Sequence, residues 1–134
     1  MTMWIVLEQE THLQDMMLTM VEILGDAGVG FSDETAAIAW IDAMELGHVC
    51  GEIPEVALLN MSTPFEDSGP VVAARLRQCT YLKDMVIILM APERHRFEEQ
   101  EAVVERSGAN FVLYKPLPST DELEYILHGL LLSR

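Results

Sequence analysis

The sequence predicts an α/β fold: one sheet of five parallel strands, each followed by a helix, with helices on both faces. Three observations carry this. Short apolar runs alternate with stretches of helical apolar spacing from one end of the chain to the other, and such alternation builds a parallel sheet. The run Met-Val-Ile-Ile-Leu-Met at 85–90 is apolar without a break, as in a strand covered on both sides. The chain has 134 residues, 50% of them hydrophobic. That suits one domain with a sizeable core, spanning residues 1–134.

Each element follows from local pattern. Trp4-Ile5-Val6-Leu7 is a short β-type run that ends at Glu8-Gln9-Glu10. Thr11 and Gln14 have the spacing of a capping box. The helix they open carries Leu13, Met16, Met17, Met20, Val21 and Leu24 as its apolar face and stops at Gly25. At that spacing methionines read as core. The glycines at 25, 28 and 30 follow a helix and have the wrong order for a dinucleotide fingerprint, so they read as a turn. Val29 to Ser32 is a weaker strand. Ser32 or Asp33 caps a second helix with Ala36, Ala37, Trp40, Ile41 and Met44 on its apolar face, ending at Gly47.

Val56-Ala57-Leu58-Leu59 is the third strand and ends at Asn60. A loop follows to Gly69, and Pro70 suits the first turn of a third helix with Val71, Val72, Ala74 and Leu76. The fourth strand, 85–90, leads to a helix from about Glu93 to Ser107. Phe111-Val112-Leu113-Tyr114 is the fifth strand, broken by Lys115-Pro116. Ser119 and Glu122 form a second capping-box pair, and Leu123, Ile126, Leu127, Leu130 and Leu131 give the last helix its buried side.

The charge limits the partners. Eight basic against 22 acidic residues leave a net charge of −14, which repels phosphate backbones and anionic lipid. Direct nucleic-acid or membrane binding is not expected; the charge reads first as solubility, with a protein of basic surface as the sharper reading. Cys50 and Cys79 form neither a disulfide framework nor a metal pair and read as thiols in a reducing cytoplasm. The N-terminus lacks a signal peptide's basic segment. The apolar runs fall far short of the roughly 20 residues of a membrane span. His12, His48, His95 and His128 lack metal-ligand spacing.

In an open parallel sheet a site forms at the carboxyl ends of the strands, where the strand order switches. Those ends carry Glu8-Gln9-Glu10, Asn60, Met90 and Lys115. In this order and spacing, with Pro64 four residues after Asn60, Ala91 after Met90, and Gly108-Ala109 ahead of Lys115-Pro116, the whole chain resembles the receiver domain of two-component response regulators.

The resemblance implies the flavodoxin-like strand order 2-1-3-4-5 and a signalling role without catalysis. It also marks the departures. The cation-ligating acid is replaced by Gln9, the phosphoacceptor aspartate by Asn60, the Thr or Ser by Met90, and the switch aromatic by Val112; Glu8 and Lys115 remain. An amide is a poor nucleophile, and a magnesium site relies on carboxylates. The expectation is therefore an atypical receiver that accepts no phosphate, holds no metal or cofactor, and acts through a protein partner or a fused output domain. Each residue also has a structural reading, as a bonded core amide, an apolar core residue or a surface lysine. The family's usual interface, helix four, strand five and helix five, makes Arg94, His95, Arg96 and Tyr114 interface candidates and a homodimer through that face an expectation. Two alternatives stand beside this: phosphorylation at another residue such as Glu8 or Asp67, and a flavodoxin-like enzyme or small-molecule binder, for which no paired nucleophile and base is visible.

Overall fold

The computed structural model describes residues 1–48, 51–61, 68–91, 97–114 and 118–133, without side-chain detail for 97–100, 132 and 133. The elements run β1 (Met3–Leu7), α1 (Thr11–Ile23), β2 (Ala27–Phe31), α2 (Glu34–Glu45), β3 (Val56–Asn60), α3 (Ser68–Gln78), β4 (Val86–Ala91), α4 (Phe97–Ser107), β5 (Phe111–Tyr114) and α5 (Thr120–Ser133). The sheet is parallel with strand order β2-β1-β3-β4-β5, as expected.

Two cores sandwich the sheet because successive strand residues point to opposite faces. Ile5, Leu7, Ala57, Leu59, Ile87 and Leu89 pack against Ile41 of α2, Leu76 of α3 and Val104 of α4. Trp4, Val6, Leu58, Ile88 and Met90 pack against Met17 and Val21 of α1 and Leu123 and Leu127 of α5. Every residue of β3 and β4 is buried, which is why those two strands carry no polar alternation. The indole of Trp4 is buried and donates to Asp26 Oδ2 at 3.0 Å, giving its polar edge a partner.

Three local expectations are corrected. The glycines at 28 and 30 lie inside β2, not in a turn. A Cβ at Gly28 would come within 2.9 Å of Leu18, and one at Gly30 within 2.6 Å of Gln14. Their missing side chains let α1 lie close on this edge strand. The N-cap of α1 is Glu10, whose carboxylate accepts from the backbone N–H of His12 and Leu13. Thr11 is therefore the first helical residue, and Gln14 turns its amide to the Glu8 carbonyl instead of closing a capping box. Met16 of α1, Ala36 of α2 and Val71 of α3 face solvent, so each helix is rotated slightly from the face assigned by spacing. The caps of α2, Asp33 on Ala36 N, and of α5, Ser119 on Glu122 N, form as expected.

Gly108 ends α4 with φ +74°, and a Cβ there would come within 2.9 Å of Arg77 Cγ. Both the left-handed backbone and the contact require glycine. Gly108→Ala is expected to lower stability by about 2 kcal/mol, read as a lower urea midpoint at unchanged m-value.

Candidate functional site

β1 pairs with both β2 and β3, while the helices after β1 and β3 pack on opposite faces. Their carboxyl ends therefore open a crevice. Glu8 follows β1 and Asn60 ends β3; they are 3% and 2% exposed. Asn60 Nδ2 donates to Glu8 Oε2 at 3.1 Å and to Gln9 Oε1 at 3.0 Å. Gln9 Nε2 in turn donates to Ser68 Oγ at 3.1 Å, tying the loop after β1 to the start of α3. Glu8 Oε2 also accepts from the backbone N–H of Glu10 at 3.1 Å.

The orientation of both amides follows from chemistry. An ionised carboxylate accepts only, so Asn60 must turn its NH2 to Glu8. That NH2 then needs a second acceptor, which fixes Gln9 Oε1 inward and its NH2 toward Ser68. The remaining atom, Asn60 Oδ1, is buried and has no donor among the described residues. Met90 stands opposite Asn60 in register and is 1% exposed. Its thioether belongs to the α1–α5 core and has no proton to give.

This donor set does not suit a hard dication. Between residues 8 and 60, where a cation would need oxygens from both, Asn60 presents hydrogens. Glu8 and Gln9 already spend an oxygen each on that amide. Magnesium prefers near-octahedral oxygen ligation anchored by carboxylates. Among the described residues no group of three His, Cys, Asp or Glu side chains could hold a metal.

The structure brings together Glu8, Gln9, Asn60 and Met90 of the expected site. Val112 is buried in the core on the side of α2, α3 and α4, and Tyr114 is half-buried against the same core. Lys115, Arg94, His95, Arg96, Asp67 and Cys50 lie outside the described residues. His12 is exposed at the start of α1. Cys79 is buried, and burial, with a hydrogen bond to Glu45 second, raises its thiol pKa. Sequence reasoning missed Ser68 and the inward role of Gln14. Ser68 is the first residue of α3, so the start of that helix was the available signal.

No family model and no curated protein matches the sequence. Solved structures do. The receiver domain of the sensor histidine kinase PA1611 from Pseudomonas aeruginosa, solved with a magnesium ion in its active-site cleft, aligns at TM-score 0.71 and 18% identity over 96% of each chain. The chemotaxis protein CheY4 from Vibrio cholerae aligns at TM-score 0.73 and 16% identity, over 97% of this chain and 98% of that one. NtrX from Brucella abortus aligns at TM-score 0.72 and 15% identity, over 99% of this chain and 27% of NtrX. At these identities the likeness is one of fold, the five-stranded receiver fold. No described helix is long and apolar enough to cross a membrane.

Proposed function

We propose that this chain is a receiver-like signalling domain of the response-regulator kind that works without phosphorylation, through contact with a protein partner or an attached output domain. The observation that carries the reading is the Asn60 amide, bound at once to Glu8 and Gln9. It occupies the place of an attacking carboxylate with a group that cannot form an acyl phosphate. It also satisfies Glu8 with hydrogens where a receiver that takes phosphate uses a cation. Met90 and Val112 extend the same argument. One offers no hydroxyl to follow a new anion, and the other is too small to act as an aromatic lever. The likeness to NtrX, in which the matching part is 27% of the chain, supports a unit that can sit beside other domains. The domain is not a catalyst on this reading and needs no cofactor.

The test is intact mass after incubation with acetyl phosphate and magnesium, beside the double variant Gln9→Asp, Asn60→Asp. The parent chain is expected to gain no phosphate. A phosphoryl adduct on the parent, mapped to Glu8, Asp67 or any other side chain, overturns the reading.

A further inference from the structure

The charge of the domain is unevenly placed. All 8 lysines and arginines come at Arg75 or later, while thirteen of the 22 acidic residues lie before it. The excess negative charge therefore sits mainly on the half built from β1, α1, β2, α2 and β3. That half also holds an open sheet edge, for β2 has a neighbouring strand on one side only. Edge strands are commonly blunted by proline, lysine or a bulge. β2 has none of these: its sequence is Ala-Gly-Val-Gly-Phe, and all five residues pair with β1 in unbroken register.

The ladder decides which backbone groups face outward. Alternate residues of a parallel strand turn their N–H and C=O to the same neighbour. Ala27 N donates to Thr2 O at 3.1 Å, and Phe31 O accepts from Glu8 N at 3.0 Å, so Ala27, Val29 and Phe31 face β1. Gly28 and Gly30 present their N–H and C=O to the open edge, with no side chain of their own to shield them. On one side of this edge, α1 sets Gln14, Leu18 and Val21 against the two glycines and Met17, Met20 and Leu24 into the core. Its other flank carries Asp15 and Glu22, both exposed, along the edge. On the other side, α2 buries Ala37, Ile41 and Met44 and turns Asp42 to Arg75 of α3. Its remaining flank puts the half-buried Trp40 beside the edge, with its ring centroid 6.0 Å from that of Phe31. The open edge thus has bare amides along its length, an acidic wall and an aromatic wall.

Resting on the reading of the chain as an interaction module, we propose that β2 takes an extended basic segment of a partner protein as a sixth strand. The backbone of the segment pairs with the N–H and C=O groups of Gly28 and Gly30. Its side chains alternate between the two walls. Lysines or arginines on one face meet Asp15 and Glu22, and apolar side chains on the other cover Trp40 and Phe31. The recognised pattern is therefore basic–apolar alternation in an extended chain. A second copy of this domain is the poorer occupant. Pairing β2 with β2 about a twofold axis would set Asp15 and Glu22 of each copy against the same residues of the other.

The test uses a fluorescent peptide of about eight residues alternating lysine and valine. Beside it run two N-methylated forms, one methylated at every lysine amide and the other at every valine amide. Anisotropy is read at physiological salt with no phosphate donor present. The unmethylated peptide is expected to bind. Only one methylated form should lose binding, because one set of amides faces β2 and the other faces solvent; which form fails reads the direction of the added strand. Asp15→Asn with Glu22→Gln should weaken binding about fivefold, and Trp40→Ala about tenfold. Glu101→Gln with Glu105→Gln, which removes the same charge from α4 beside the opposite edge strand, should not. Hydrogen exchange at the Gly28 and Gly30 amides should slow when the peptide is bound. Equal binding by all three peptides would mean general charge attraction and overturn the proposal. So would unchanged exchange at the two glycines, or sedimentation of the parent as a dimer that Trp40→Ala dissociates. Absence of peptide binding overturns the sixth strand alone; phosphate uptake in the mass experiment overturns the functional reading alone.

Discussion

Gln9→Asp together with Asn60→Asp should turn a domain indifferent to magnesium into one that depends on it. In the parent, hydrogens of the Asn60 amide lie between its nitrogen and the oxygens of Glu8 and Gln9, at 3.1 and 3.0 Å. The double substitution removes those hydrogens and sets three carboxylates around one buried point. Unpaired charge left in such a place costs about 3–5 kcal/mol, a fall of roughly 10–18 °C in melting temperature for a chain of this size. Millimolar magnesium should recover much of it, because the oxygens now match what the ion takes.

The pH dependence has a definite sign. Burial and the neighbouring acids raise the folded-state pKa of the new carboxylate at position 60 above its unfolded value. The penalty is therefore absent below about pH 4, the ordinary aspartate value, grows as pH rises toward the raised folded value, and is constant above it. Melting curves in chelator and in magnesium at several pH values read all of this. A double variant as stable in chelator as the parent would sink the account of the amide as the site's cation substitute.

How far the sequence carried this picture depends on what each residue touches. β3 and β4 were legible because burial on both faces leaves an unbroken apolar run. β2 was half legible: Gly28 and Gly30 alternate with Val29 and Phe31, but a strand whose inward positions are empty imitates a turn. The start of α1 was misplaced by one residue, since Thr11 and Gln14 have capping-box spacing while the Glu8 carbonyl competes for the Gln14 amide. At the site, Glu8, Gln9, Asn60 and Met90 could be read from strand ends, because fold topology alone gathers those ends. Ser68 was missed, because Pro70 set the apparent start of α3 two residues late and left Ser68 in the loop. The Asn60 Oδ1, which no donor among the described residues reaches, was not legible either.

Arg77→Ala is expected to lower stability by about 3 kcal/mol, or roughly 10 °C in melting temperature. The guanidinium at the end of α3 donates from Nε to Gly108 O at 2.9 Å, and from Nη1 to Lys83 O at 2.7 Å and Met85 O at 2.6 Å. Its Nη2 donates to Asn110 Oδ1 at 2.8 Å, and the same oxygen accepts from Ile87 N at 2.8 Å. One planar group thus joins α3, the entry to β4 and the turn into β5. Burial lowers its pKa, yet a guanidinium stays charged at any pH the fold survives. Arg77→Lys should recover less than half the loss, because a single ammonium cannot reach acceptors on three sides. A double-mutant cycle with Asn110→Ala should show coupling of about 1–2 kcal/mol. Full stability in Arg77→Lys would show that charge, not the fork of donors, is what matters.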